Sequence, residues 1–117
     1  MIAIGWFQRI MNLLNLDFNM KKQELIDKIN NGYYHSLWQA EDIIPKDVPQ
    51  VAEGLNLDEH RWYSTAVNVY QVEDGFVGIW GAYQSFSEMQ MWEDLDVICE
   101  ACEYEEYITV SYRPKSN

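Results

Sequence analysis

Apolar and polar residues repeat along this chain with two different periods, and the change from one to the other falls at Arg61. In MIAIGWFQRIMNLLNLDF, the residues Ile2, Ala3, Ile4, Trp6, Phe7, Ile10, Met11, Leu13 and Leu14 share about half of a helical wheel, with Gln8, Arg9, Asn12 and Asn15 opposite. This predicts an amphipathic helix packed on a sheet or on a second copy of the chain. It lacks the Lys/Arg-rich polar face that an interfacial membrane helix uses against anionic lipid. The run MKKQELIDKI at Met20 also has the look of a chain start, which would make residues 1–19 an accessory. Asn19 is placed to cap a second helix running through Asn31, with Leu25, Ile26 and Ile29 as its buried stripe and Asn31-Gly32 as its stop. Ser36 and Gln39 have the spacing of a capping box, so a short helix starts at Leu37 and is blocked by Pro45. From Pro45 through Glu59, the punctuation by Pro49, Gly54 and Asp58 reads as loop with at most one helical turn.

Beyond Arg61 the period becomes two. WYSTAVNVYQV and FVGIWGAYQSF are rich in β-branched and aromatic residues and are separated by Glu73-Asp74-Gly75, a strong hairpin signal. With Asp74-Gly75 as a two-residue loop, Val72 opposes Val77, Tyr70 opposes Ile79, Val69 opposes Trp80 and Val67 opposes Ala82. One face then carries Trp62, Ala66, Tyr70, Val72, Val77, Ile79 and Tyr83, and the other Tyr63, Val67, Val69, Trp80 and Phe86. Both faces are apolar, so helices are expected on one side and another layer or a subunit on the other. Gly78 and Gly81 leave room for a neighbouring ring or backbone close to the strand. Capping-box spacing recurs from Ser87 to Gln90. From Asp94 alternation returns, with Leu95, Val97, Cys99 and Ala101 on one side and Asp94, Asp96, Glu100 and Cys102 on the other. YITVSYR closes the sheet as a strand burying Ile108, Val110 and Tyr112.

The expected fold class is therefore α+β, with N-terminal helices packed on a C-terminal antiparallel sheet of about four strands in meander order. Residues 1–117 make one domain, helix and loop over 1–60 and sheet over 61–113. A composition that is 48% hydrophobic and 15% aromatic supplies the apolar surface that such a core needs.

Charge changes the functional picture. The formal net charge is -11, and it divides into -3 up to Arg61 and -8 from Trp62 onward; residues 62–112 contain no Lys or Arg at all. Phosphate binding is driven by Lys and Arg displacing counterions, so nucleic acid is not an expected direct partner and a basic protein surface is. With two cysteines, no secretory signal pattern and no apolar run of transmembrane length, the expectation is a cytoplasmic protein without membrane contact.

Catalytic and metal chemistry find little support. Cys99 and Cys102 have the spacing of a zinc knuckle or redox pair, but the only histidines, His35 and His60, stand alone. On a strand the two thiols face opposite ways, and Asp96, Glu100 and Glu103 disfavour a thiolate, so both cysteines are expected to be buried and structural. His60, near Asp58, Glu59 and Ser64, lacks a nucleophile elbow and a third orienting group. Phosphate loops, dinucleotide fingerprints and calcium loops are absent from the sequence. No enzyme activity, cofactor or metal is expected.

The remaining feature is the carboxylate field of Glu88, Glu93, Asp94, Asp96, Glu100, Glu103, Glu105 and Glu106, with Trp92 and Tyr104 as candidate aromatic anchors. Carboxylates two apart on a strand lie about 6.8 Å apart, on the order of the phosphate spacing along a nucleic-acid backbone, so such a row can occupy a basic groove. Its plainer role is to keep an edge strand solvated. The run HRWYSTAVNVYQVEDGFVGIWGAYQSFSEMQMWEDL and the ending EEYITVSYRPK resemble small uncharacterised proteins of plasmids, conjugative elements and phages of Gram-positive bacteria. In size, acidity and aromatic content the chain is similar to anti-CRISPR and anti-restriction proteins, some of which mimic DNA. That resemblance implies an inhibitor that fills the nucleic-acid channel of a host nuclease. Two alternatives stand beside it: a homodimeric interaction module whose acids only solvate it, and a ligand binder or enzyme with a pocket lined by Trp38, Trp62, Trp80 and nearby tyrosines.

Overall fold

The computed structural model describes residues 20–85, 96–107 and 110–115. The amphipathic N-terminal segment and the turn expected near Ser87 lie outside them. Within them the order is α1 (Lys22–Asn30), α2 (Leu37–Asp42), β1 (Gln50–Glu59), β2 (Tyr63–Val72), β3 (Gly75–Ser85) and β4 (Glu100–Tyr104). The strands form one antiparallel sheet in the order β1-β2-β3-β4, a meander, and the fold is α+β as the patterning predicts.

The hairpin forms with a register two residues away from the expected one. Val72 pairs with Gly75 and Tyr70 with Val77, so the tight loop is Glu73-Asp74 and Gly75 is the first paired residue of β3. Gly75 has φ of +153°, a backbone that a side chain would disfavour. A slip of two preserves the side of every residue, because side chains alternate with period two. Ala66, Tyr70, Val72, Val77 and Ile79 accordingly share one core with Leu25 and Ile29 of α1 and Leu37 and Ala40 of α2. Trp62 does not join that face; it precedes β2 and is exposed, with the Arg61 guanidinium stacked 4.7 Å from its ring centroid.

Three expectations for the strands are corrected. The segment read as loop after Pro49 is β1, at the sheet's edge, so the sheet begins inside residues 1–60. Its pairing with β2 is interrupted by three register shifts, and Gly54 and Asn56 have φ of +70° and +55°, which erases the alternation a strand reading needs. At the other end, Val110 and Tyr112 belong to no strand and are exposed; Ile108 lies outside the described residues. The edge that such a strand would join is already engaged at Ala101. The side-chain amide of α1's Asn30 accepts from Ala101 N at 2.7 Å and donates to Ala101 O at 3.0 Å, satisfying the backbone of β4 as a neighbouring strand would. Finally, Val97 leaves the alternation with Cys99 and Ala101 and packs instead with Ala82 and Tyr63 in a separate small cluster.

Helix α1 starts at Lys22, with Lys21 rather than Asn19 at the cap position, and Lys21 makes no side-chain cap. The cap comes from the hairpin: Asp74 Oδ1 accepts from the Lys22 backbone N–H at 2.8 Å, and Glu73 N donates to Met20 O at 3.0 Å. Asp74→Ala is therefore expected to cost about 1 kcal/mol, read as a lower urea midpoint with unchanged slope. At its far end α1 runs into Asn31, and the positive φ of the helix exit falls on Tyr33 (55°) rather than on the expected Gly32. Gly32 is needed for space, because the Tyr34 ring lies against its α-carbon. Helix α2 has the predicted capping box, slightly altered: Gln39 N donates to Ser36 Oγ at 3.1 Å, while Gln39 Oε1 accepts from the N–H of His35, one residue before the cap.

Candidate functional site: the acidic edge and the Trp38 clefts

Strand β4 decides where the carboxylates point. Glu100, Cys102 and Tyr104 pair with Trp80, Gly78 and Phe76, on the face away from the helices, while Ala101 and Glu103 pair with Ile79 and Val77 on the helix face. Alternation along β4 thus places these carboxylates in two directions rather than in one row. Glu100 faces outward. Glu103 turns to α1, where Lys22 Nζ donates to its Oε1 at 2.8 Å, a hydrogen bond that raises the Lys22 ammonium above the usual lysine range.

Asp96, Glu105 and Glu106 flank the strand and are exposed. No Lys, Arg or His among the described residues stands within ion-pairing distance of Asp96, Glu100 or Glu105. Glu88, Trp92, Glu93 and Asp94, the other half of the expected surface, lie outside the described residues. Tyr104, expected as an exposed anchor, is half-buried. Its ring covers the bare α-carbon of Gly78, and burial raises its phenol above the usual range.

The two thiols lie on opposite sides, as strand geometry requires, but they are not alike. Cys99 is buried under Gly81, and burial pushes its thiol up to about 12; Cys102 is exposed, contrary to the expectation that both are buried. Around His60, one ring nitrogen, Nε2, is 3.5 Å from both Asp58 Oδ2 and Thr65 Oγ1, and the ring stacks on Tyr63 with centroids 4.6 Å apart. A hydrolytic relay needs one imidazole nitrogen on the hydroxyl and the other on the carboxylate, and here both contacts fall on the same nitrogen. The Ser64 hydroxyl is buried and makes no hydrogen bond to His60.

The three tryptophans of the pocket hypothesis do not converge. Trp38 lines two clefts among the described residues, and neither Trp62 nor Trp80 lines either of them. A cleft of about 640 Å³ lies between Trp38, Pro45, Pro49 and Tyr70, and a smaller one of about 260 Å³ between Trp38, Tyr83 and Asn68. Helix geometry explains the shared wall. Leu37 and Ala40 face the core, which turns Trp38 and Glu41, also three residues apart, outward on the adjoining face. Trp38 is 72% exposed, unusual for so large an apolar side chain.

Among the described residues no helix is long and apolar enough to cross a membrane. No family model, no curated protein and no solved structure matches this chain.

Proposed function

We propose that the protein is an acidic inhibitor that docks its β4 edge and the segment around it on a basic protein surface, and that this surface is the nucleic-acid channel of a nuclease. The reading rests on one observation: Asp96, Glu100 and Glu105 stand exposed along residues 96–106 with no described cation to neutralise them, in a chain of net charge -11. Among the described residues these carboxylates have no ion pair to break, so what they give up on entering a basic groove is their water, and the opposing cations offset that loss. Glu103 has a different part in it. Its bond to Lys22 fixes the end of β4 against α1, which keeps the edge in one place while the other acids meet the partner.

The resemblance to proteins of mobile elements makes DNA-targeting nucleases of Gram-positive bacteria the class to test. Cleavage of a plasmid by a panel of restriction and RNA-guided nucleases is measured with rising amounts of this protein, at low and at high salt. Inhibition that short duplex DNA relieves by competition, and that fades steeply with salt, is expected. The triple variant Asp96→Lys, Glu100→Lys, Glu105→Lys is expected to weaken that inhibition by about 100-fold or more. It leaves the Lys22–Glu103 pair in place, so its circular dichroism should match the parent. Undiminished inhibition by the folded triple variant, or no inhibition of any nuclease in the panel, sinks the reading.

A further inference from the structure

The smaller of the two clefts beside Trp38 has a composition that the acidic edge does not use. Its walls are the Trp38 and Tyr83 rings, its charged groups are Glu41 and Glu53, and the amide side chains of Asn68 and Gln84 complete it; among the described residues no Lys or Arg lines it. The parts come from four elements. Helix α2 supplies Trp38 and Glu41, β1 supplies Glu53, β2 Asn68, and β3 Tyr83 and Gln84.

The site is held open by its own backbone. Gly54 N donates to Asn68 Oδ1 at 3.0 Å, and the positive φ of Gly54 bends β1 so that the Tyr83 ring lies against it, 3.4 Å from where a β-carbon would be. Tyr83 Oη in turn donates to Glu53 Oε1 at 3.4 Å, which sets that carboxylate at the rim. Glu41 and Glu53 also act on one buried hydroxyl. Burial first, then these two carboxylates, raise the Tyr70 phenol against the opposing hydrogen bond from Asn68, so both negative charges converge on the same part of the sheet.

We propose that this cleft binds the guanidinium of an arginine in an extended segment of a partner protein. The chemistry selects that group. A planar cation can lie on the exposed indole of Trp38 while its edge donates to Glu41 and Glu53, and an ammonium can use the charges but not the stacking. The volume of about 260 Å³ suits one long side chain. The adjoining cleft, which shares Trp38 and Glu41, offers the apolar surface of Ile43, Pro45 and Pro49 to the residue that follows. Its one cation, Lys46, stands in that larger cleft and not in the arginine site. None of the acids of residues 96–106 takes part, so the site stands whether or not the β4 edge engages a nuclease.

The test uses a short capped peptide with one central arginine between prolines, titrated into the full chain while the Trp38 indole N–H is followed by NMR and assigned with Trp38→Phe. Saturable shifts centred on Trp38 and Tyr83 are expected. The same peptide with citrulline, which keeps the shape and loses the charge, should bind at least about 10-fold more weakly, and the peptide with lysine in place of arginine should also bind more weakly than the arginine peptide. Glu41→Gln with Glu53→Gln should weaken binding by about 10-fold, and Trp38→Ala by about 5-fold. Trp38 is exposed, so its removal leaves the fold intact. The triple lysine variant of the β4 edge should bind the peptide as the parent does. No saturable binding, equal binding of the citrulline or lysine peptide, or shifts confined to residues 96–106 would overturn the assignment.

Discussion

Between pH 9 and 12 the fold is expected to lose stability steeply, and the loss should trace to two buried side chains. Burial raises the Cys99 thiol from 9.0 to about 12, and burial with the nearby Glu41 and Glu53 raises the Tyr70 phenol from 10.0 to about 12. Both groups are neutral when protonated, so the native state holds protons that the unfolded chain gives up at lower pH. Their contribution is complete below about pH 9, declines as Cys99 of the unfolded chain ionises, declines faster once tyrosine follows near 10, and is exhausted as the pH passes the folded values. Each group adds a slope of up to about 1.4 kcal/mol per pH unit within its own window. Urea midpoints measured from about pH 8 to 11 should fall accordingly. Cys99→Ala and Tyr70→Phe should each flatten the curve, at the cost of a lower starting stability for the alanine variant, which leaves a small cavity. An equally steep alkaline loss in the double variant would show that other groups carry it.

Tyr70 also shows how far the sequence can be read. Its side of the sheet follows from alternation alone, because period two fixes the face of every residue in β2 and β3 even when the register is off by two. The register itself was not legible. Asp74-Gly75 is a strong turn signal, but the side chain of Asp74 is engaged in capping α1, and Gly75 enters the ladder instead of the loop. Local sequence carries no trace of a contact between residues so far apart.

Strand β1 was hidden for a different reason. In QVAEGLNLDE the bulges and two positive φ values break the pattern, and its strand character is imposed by the regular β2 beside it. YITVSYR is the converse: its alternation is clear, yet a strand needs a partner edge, and Asn30 already satisfies the edge of β4 at Ala101. The candidate sites divide in the same way. That the carboxylates of residues 96–106 are exposed can be read directly; that Glu103 is spent on Lys22 while Glu100 faces away from it requires the packing of α1. At the Trp38 cleft, the helical spacing of Trp38 and Glu41 was a usable local signal, whereas Glu53 and Tyr83 reach it only through the sheet.

Gly78 and Gly81 of β3 were legible as points of close approach, and Gly81 carries the larger consequence. A β-carbon there would lie 2.5 Å from Cys99 Sγ and 3.2 Å from Leu37 Cδ2, between the buried start of α2 and the segment that leads into β4. Neither neighbour can swing away, since both are at least nine-tenths buried, so the added methyl must push α2 and the Cys99 segment off the sheet. Gly81→Ala is therefore expected to cost about 2–3 kcal/mol, although alanine is the better strand former of the two. The cause can be separated from any general sensitivity by giving the methyl a place to go. Cys99→Ala alone is expected to cost about 1–2 kcal/mol through the cavity it leaves, but combined with Gly81→Ala it should recover at least about 1 kcal/mol relative to the sum of the single changes. A double-mutant cycle on urea midpoints measures that coupling. Strict additivity would mean that sulfur and glycine are not in contact, and that α2, with the Trp38 cleft built on it, is held to the sheet by something other than this close approach.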